Sequence, residues 1–382
     1  MRKEPGKLKW ILGVLVLWRV ALLAIAAYAI SSLPFKPSFP YWETLLEPNG
    51  HPLFWSWGNF DGVHYLTIAM HGYSAQFTQA FFPLYPLAIR YTQTFVGNYL
   101  ASGLLVSHAA LVITLILFYK LIRLDWGQTT AKRTLIFLLL FPTAYSFVSV
   151  YTESLFLMMV FGSLFAARKK SWWIAGILGG LASATRIFGV FLLPALLIEW
   201  YVQRGKKTVF TFSELFLAVL PIFLSISGLV GYMYYLNKSF QDPLLFLHAQ
   251  PVFGAGRSAD KLILLYQVFW RYVKMIATVD PKTLVYYTVF LEAASGILFL
   301  VLSIIAFRRT RLSYAIFGIL SYLLPTLTGT FSSMPRYVLV LFPCFIVLGK
   351  IKSPIFQRVW WVASAILLAV NTALFVRGYW VA

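Results

Sequence analysis

The chain has 382 residues, of which 60% are hydrophobic and only 12% are charged. A soluble domain carries about 25% charged residues, so this composition excludes an ordinary soluble enzyme. Apolar runs of roughly 20 residues, the length that crosses a bilayer, recur along the whole sequence. We therefore predict an all-α, polytopic integral membrane protein that forms a single transmembrane domain over residues 1–382.

The charge balance is strongly basic, with 32 Lys and Arg against 12 Asp and Glu, a net charge of +20. In a soluble protein this would indicate a nucleic-acid partner. Here the basic residues lie in short loops at the ends of apolar runs, as the positive-inside rule describes. We therefore predict membrane lipids, and no nucleic acid, as partners. The single cysteine, Cys344, excludes both a disulfide within the chain and a cysteine-based metal site.

About eleven segments are predicted to cross the membrane. The first runs from about residue 10 to 33 behind a basic leader, and we interpret it as an uncleaved helix with a cytoplasmic N-terminus. The other ten are approximately 98–122, 134–150, 153–168, 172–186, 187–202, 210–236, 283–307, 312–330, 336–350 and 357–377.

Residues 80–96 are apolar enough to be counted as a span, yet they contain two prolines and Arg90. If this segment does not cross, five short basic loops face the cytoplasm together with the N-terminus; if it crosses, all five move outside. The positive-inside rule favours the first arrangement. We therefore predict an interfacial or re-entrant helix here, aromatic side chains that anchor it at the membrane surface, and two long external loops, 34–97 and 237–282.

Both long loops are rich in Trp, Phe, Tyr and His, so they are not disordered linkers. Long ordered loops are usually functional. We therefore place the chemistry on the external face of the membrane.

The first external loop carries a helix signal around Asp61. Asn59 or Asp61 is predicted to cap a short helix that Gly72 ends. Asp61, His64 and Tyr65 would then share one face, at positions i, i+3 and i+4. A carboxylate on a short aromatic-rich helix at the membrane surface suits a general base. A capping aspartate in a hydrated loop fits these local features equally well.

Two further acids are candidates for contact with substrate. Glu153 lies beside Tyr151 at the predicted outer end of a span, where an acid either caps the next helix or binds substrate. Capping is the favoured interpretation of Glu153. Asp242 lies in the second external loop, before Pro243.

Arg186 and Arg336 each lie at a predicted outer helix end, next to a short external turn. Arginine suits a phosphate because its planar guanidinium donates two hydrogen bonds at once. A single arginine in this position more often extends its charged group to the membrane surface. Two of them beside short external turns favour an anion-binding role.

These elements occur in an order that resembles the PIG-V family of mannosyltransferases, in a compact bacterial-type form. Single motifs are weak, but the ordered set is specific and extends over roughly residues 10–382. The matching pieces are Trp57…Asp61-x-x-His64-Tyr65, Ile68-Ala69…Gly72-Tyr73, Ala80-Phe81-Phe82-Pro83-Leu84-Tyr85-Pro86, Phe141-Pro142-Thr143-Ala144…Tyr151-Thr152-Glu153-Ser154-Leu155-Phe156, Ala184-Thr185-Arg186, Asp242-Pro243-Leu244…Phe246…Ala249-Gln250, Pro335-Arg336-Tyr337 and Arg377-Gly378-Tyr379-Trp380-Val381-Ala382.

The resemblance implies the GT-C fold, with interfacial helices and a catalytic acid in the first external loop. It implies an inverting glycosyltransferase that takes a sugar, mannose in the family, from a polyprenyl-phosphate donor to a lipid or glycan acceptor. Asp61 matches the family's loop aspartate. We expect His64 to assist it, and the candidate substrate-binding residues are Tyr65, Tyr151, Glu153, Arg186, Asp242 and Arg336.

No cofactor is required by this chemistry, although Asp61 and Glu153 are compatible with a shared divalent metal. The expected location is the bacterial plasma membrane, with the active site external. The alternative function is a lipid or polysaccharide transporter or flippase, which would need ionisable residues along a path through the membrane. Only Arg19, His108 and Glu292 are predicted at such depth.

Overall fold

The computed structural model describes residues 5–205, 211–254, 256–259 and 261–381. The described part of the chain is helical and contains no β-strand, which confirms the all-α prediction. The start of the basic leader and residues 206–207 of a predicted cytoplasmic loop lie outside the described residues.

Nineteen α-helices follow one another in the described residues, several of them joined by short turns of 3₁₀ helix. They are α1 (Pro5–Ser32), α2 (Trp42–Leu45), α3 (Pro52–Trp55), α4 (Asp61–His71), α5 (Leu84–Val96), α6 (Tyr99–Leu139), α7 (Glu153–Arg168), α8 (Trp172–Thr185), α9 (Leu192–Arg204), α10 (Phe212–Glu214), α11 (Leu220–Phe223), α12 (Ser227–Phe240), α13 (Leu245–His248), α14 (Leu265–Thr278), α15 (Leu284–Arg309), α16 (Leu312–Thr326), α17 (Met334–Tyr337), α18 (Phe342–Lys350) and α19 (Pro354–Val376).

Within the described ranges, six helical stretches are long and apolar enough to cross a membrane, and two further apolar helices are shorter. The six are Leu8–Ser32, Tyr99–Leu139, Ile187–Arg204, Phe212–Phe240, Leu284–Arg309 and Pro354–Val376, and the two are Trp172–Thr185 and Leu312–Thr326. Several apolar helices of this length confirm a polytopic membrane protein. The number of eleven spans stays a prediction.

The predicted spans 98–122 and 134–150 have different boundaries in the structure. One long helix, α6, contains the first span and the beginning of the second; it is broken at Gly127 (φ 78°, ψ 179°) and ends at Leu139. The prediction of a helix up to residue 150 is wrong, because Pro142 has no amide hydrogen to continue it. Residues 141–157 are buried, and residues 141–152 among them form turns and a short 3₁₀ helix. Non-helical backbone at membrane depth is tolerated where protein surrounds it.

The chain divides into two compact units. The first unit comprises the chain up to Gly72, Tyr85–Met158 and Leu348–Val381. In it, α1 packs against α6 and α19, and α4 packs against α6. The second unit comprises Tyr73–Leu84 and Met159–Val347. In it, α8 packs against α11 and α12, while α16 packs against α9 and α15.

Helix α5 has 13 residues. At 1.5 Å per residue it is about 20 Å long, shorter than the ~30 Å hydrocarbon core of a bilayer. By length it cannot cross a membrane alone, in agreement with the charge argument. Its orientation at the surface stays a prediction.

Candidate functional site: an acid-bearing helix and an arginine pair

The first unit presents Asp61 at the start of α4. The helix runs from Asp61 to His71 and ends at Gly72, whose φ of 70° suits glycine. This end confirms the prediction, but the start does not. The residue before the helix is Phe60, whose side chain cannot accept a hydrogen bond. Asp61 instead lies in the first turn, where the helix dipole stabilises a carboxylate.

Phe60 has an unusual backbone, with φ 57° and ψ −117°. A non-glycine residue in such a region costs of order 1–3 kcal/mol and persists only where its surroundings impose it. The side chain of the preceding residue, Asn59, is fully buried and donates from Nδ2 to the carbonyl of Phe375 at 2.8 Å. Asn59 therefore serves the tertiary structure and does not cap α4, so that prediction was wrong.

Asp61, His64 and Tyr65 share one face of α4, since they lie at positions i, i+3 and i+4 of a continuous helix. Asp61 and His64 are half-buried, and Tyr65 is buried. Burial lowers the pKa of His64 below its usual value, and the Asp61 carboxylate opposes that shift in part. His64 is therefore a neutral imidazole at pH 7, able both to donate and to accept a hydrogen bond.

Tyr65 meets Tyr85 edge to face, with ring centroids 5.1 Å apart. Tyr85 is completely buried; its hydroxyl donates to the Gly103 carbonyl at 3.1 Å and shares a 2.7 Å hydrogen bond with Ser107. Burial is the main cause that raises the pKa of Tyr85, and the Glu153 carboxylate contributes to the same shift. The prediction that the aromatic residues of 80–96 are surface anchors is wrong for Tyr85, because its hydroxyl has polar partners inside the unit.

Tyr151 lies beside the start of α4, and Glu153 follows it two residues later in the chain. The Tyr151 hydroxyl donates to the Asn59 carbonyl at 3.3 Å, and the neighbouring Val150 N–H donates to the Trp57 carbonyl at 2.9 Å. Glu153 is the first residue of α7 and is 1% exposed. Burial this deep is costly for a charge, so this helix start is not a hydrated one. The role of Glu153 towards substrate stays a prediction.

The start of α4 lies close to Val150. A Cβ at Gly62 would lie 3.4 Å from the Cβ of Val150, which is an ordinary van der Waals contact. Position 62 therefore has room for an alanine, and this packing does not explain why a glycine follows Asp61.

Over the described residues, no group of three or more His, Cys, Asp and Glu is arranged to hold a metal ion. The divalent metal shared by Asp61 and Glu153 stays a prediction.

In the second unit, both candidate arginines meet at one aromatic ring. Arg186 is an extended residue between α8 and a 3₁₀ turn, and its Cζ lies 5.3 Å from the Phe188 ring and 5.6 Å from the Tyr337 ring. Arg336 lies in α17, is buried, and has its Cζ 5.7 Å from the same Tyr337 ring. Residues 150 positions apart in the sequence thus form one arginine pair, Arg186 and Arg336.

The turn that leads into Arg336 is held by a buried acid. Glu292 of α15 is 4% exposed and accepts hydrogen bonds from the Tyr272 hydroxyl at 2.5 Å and the Ser333 N–H at 3.2 Å. Ser333 has φ 61° and immediately precedes α17. Sequence reasoning noted Glu292 only as an acid within a span, because its partners are 20 and 41 residues away.

Asp242 holds a local turn. Its Oδ1 accepts from the Leu244 N–H at 2.9 Å, and its Oδ2 bonds to His248 Nδ1 at 2.7 Å. The hydrogen bond from His248 is the main cause that lowers the pKa of Asp242. These contacts give Asp242 a structural role at the start of α13, and its role towards substrate stays a prediction.

Comparison with known families decides the class of protein. The family model Mannosyltransferase (PIG-V) matches residues 9–348. The chain belongs to this family. The resemblance drawn from the ordered motifs is confirmed, and with it a membrane-embedded glycosyltransferase activity. The GT-C fold remains the fold that this family implies.

Two solved structures resemble this PIG-V-family chain. Crystalline ArnT from Cupriavidus metallidurans, bound to undecaprenyl phosphate, aligns with a TM-score of 0.49 and 13% identity, over 96% of this chain and 76% of its own. The Archaeoglobus fulgidus oligosaccharyltransferase in the apo form aligns with a TM-score of 0.43 and 15% identity, over 95% of this chain and 56% of its own. No curated protein sequence matches significantly.

Proposed function

We propose that this PIG-V-family enzyme transfers mannose from a polyprenyl-phosphate donor to an acceptor hydroxyl on the external face of the membrane, with inversion at the anomeric carbon. The observation that carries this proposal is the start of α4. It presents Asp61 beside a neutral His64 at the positive end of a helix dipole, backed by buried Tyr65.

Asp61 acts as the general base. It takes the proton from the acceptor hydroxyl while the oxygen attacks the anomeric carbon, which forms the new glycosidic bond and breaks the bond to the lipid phosphate. His64 orients the carboxylate or the sugar, since a neutral imidazole both donates and accepts hydrogen bonds. Tyr151 and Glu153 belong to the same unit and contribute to substrate binding.

The arginine pair binds the donor phosphate. The lipid phosphate leaves as an anion, so the reaction needs no general acid, and positive charge that faces it stabilises the leaving group. Cation–π contact with the Tyr337 ring restrains both guanidinium groups before substrate arrives. This lowers the conformational entropy that donor binding must remove.

The external placement of α4 is part of the proposal. In a Cys344→Ser background, a cysteine at exposed Thr94 of α5 should react with an impermeant thiol reagent from outside. A cysteine at exposed Lys169, after α7, should react only from inside. The reverse pattern would overturn the orientation.

The function is tested by transfer of label. The purified enzyme is incubated with radiolabelled polyprenyl-phosphate mannose and a membrane extract, and labelled product is separated from donor. Wild-type protein should form product, and Asp61→Asn should lose almost all of it. Glu43→Gln, an exposed acid of the same loop, is the matched control and should remain active.

The same assay distinguishes glycosyl transfer from the alternative function, a lipid flippase. A flippase would move labelled donor between leaflets without forming a new glycosidic product. Movement of donor without product, in the wild type, would overturn the proposal.

A further inference from the structure

The closing segment, residues 375–381, contains a motif to which the reaction above assigns no role. It pairs with the chain just after α1. The Arg377 Nε donates to the Leu33 carbonyl at 2.8 Å, and the Lys36 N–H donates to the Arg377 carbonyl at 2.9 Å. The Ser38 N–H donates to the Gly378 carbonyl at 3.1 Å. These bonds fasten the closing segment to the start of the first external loop.

Gly378 makes this attachment specific. Its φ is 79°, and a Cβ at this position would lie 2.8 Å from the Cα of Pro37. This is a steric clash with the backbone, which cannot move aside as a flexible side chain could. Only glycine allows the closing segment to lie this close to the loop. The attachment is therefore a built contact between two backbones.

The same segment packs against Phe60, the residue directly before Asp61. The Phe60 ring lies 5.8 Å from the Phe375 ring and 5.6 Å from the Trp380 ring, and 4.7 Å from the ring of Phe39 in the first external loop. The Phe375 carbonyl accepts the hydrogen bond from Asn59 Nδ2. Two successive residues before Asp61 are thus held from the closing segment, one through its ring and one through its amide.

The backbone of Phe60 is strained. Its φ of 57° is unfavourable for a residue with a side chain, so an external constraint must hold it there. The direction in which α4 leaves Phe60, and with it the position of the Asp61 carboxylate, depends on that dihedral angle. An aspartate has only two side-chain torsions, so an error in its backbone cannot be corrected by the side chain.

We propose that the closing segment positions the base: Trp380 and Phe375 hold Phe60 in its strained conformation and thereby aim Asp61. Trp380 is a positioning residue that acts through Asp61. The inference rests on the proposed role of Asp61 and deepens it.

The test measures kcat and donor KM for Trp380→Ala. We expect kcat to fall about tenfold, below the roughly 10²-fold that a misplacement of about 1 Å costs, with donor KM unchanged. Trp380→Phe keeps a ring beside Phe60 and should recover most of the lost kcat. The matched control is Trp173→Ala, which removes a similarly exposed tryptophan from α8 of the second unit and should leave kcat unchanged.

A second background separates this inference from the proposed function. In Asp61→Asn protein, Trp380→Ala should add no further loss, because the residue that it positions no longer acts as a base. An equal loss in both backgrounds, or a wild-type kcat in Trp380→Ala, would overturn the positioning role. A wild-type kcat in Asp61→Asn alone would instead overturn the proposed role of Asp61 as the base, on which this inference rests.

Phe60→Gly tests the same inference with a substitution that should not unfold the protein. Glycine adopts a φ of 57° without strain, so the folded variant can still adopt the wild-type backbone conformation. The ring that fixes this conformation is lost, so kcat should fall while the protein stays folded. Unchanged kcat in folded Phe60→Gly protein would contradict the proposal.

Discussion

The start of α4 in the first unit and the arginine pair in the second unit are held in different ways. The position of Asp61 is set by the main chain, through a strained Phe60 and the buried amide of Asn59. The arginines are set by their side chains, which lie against the Tyr337 ring. A short carboxylate must be aimed by its backbone, whereas a long flexible guanidinium needs a surface that immobilises it.

This difference predicts two kinetic signatures. A base acts on the bond that forms in the transition state, so its loss lowers kcat. A group that already binds the donor phosphate in the ground state contributes to donor binding, so its loss raises the donor KM. Variants in the first unit should therefore act mainly on kcat, and variants at the arginine pair mainly on donor KM.

The largest effect is expected at Asp61. Asp61→Asn should lower kcat by about 10²–10⁴-fold, the usual cost of a lost general base, with only a small loss of thermal stability from the missing helix-dipole interaction. Glu153→Gln should lower kcat less, and His64→Ala should fall between them. Steady-state kinetics at matched expression checks the order. Retention of more than about a tenth of wild-type turnover in Asp61→Asn would transfer the role of base to another acid.

A smaller effect is expected at the arginine pair. Arg336→Ala should raise the donor KM about 10–100-fold, the value of a charged hydrogen bond of 1.5–3 kcal/mol. Arg336→Lys should recover part of this, because it keeps the charge but loses the two-pronged geometry. Measurement of KM with donor varied at saturating acceptor distinguishes the two variants. If Arg336→Ala lowered only kcat and left the donor KM unchanged, the expected difference between the two units would be wrong.

The buried acid behind Arg336 should have a weaker effect of the same kind. Tyr272→Phe removes one hydrogen bond to Glu292, worth about 1 kcal/mol, and should raise the donor KM up to about fivefold. Tyr322→Phe is the control, since it removes a buried 2.9 Å hydrogen bond to the Gly296 carbonyl. At similar losses of thermal stability, equal donor KM values in both variants would show that Glu292 only stabilises the fold.

The depressed pKa of His64 predicts a dependence of stability on pH. The folded protein keeps His64 neutral, while the unfolded chain protonates it below a pH of about 6.5. The unfolded state then binds more protons, so stability is lost as pH falls below 6.5. Melting curves between pH 5 and 8 should show a shallower acid decline for His64→Gln than for wild type. His71→Gln, an exposed histidine on α4, should match the wild-type decline.

The smallest effect is expected at Asp242. Asp242→Asn weakens the partly exposed bond to His248, and exposed ion pairs are worth about 0–1 kcal/mol. Transfer activity should stay within about threefold of wild type, with a slight loss of thermal stability. A larger fall in activity at unchanged stability would restore Asp242 as a substrate-binding residue.

The sequence by itself determined the all-α membrane architecture and the family. A bilayer requires long apolar helices with paired backbone groups, so composition and run length predict them directly. The order of short motifs was sufficient for the PIG-V family, and the spacing of Asp61, His64 and Tyr65 placed them on one helical face. These features depend on neighbours close in the sequence.

Tertiary structure alone decided how the functional residues are held. Asn59 was one of the two residues predicted to cap α4, but it bonds to Phe375, 316 residues away. Tyr85 was predicted to anchor the surface, but it is buried against Ser107 and Tyr65. No local pattern encodes such partners, because a buried polar group takes whichever partner the packed chain brings to it.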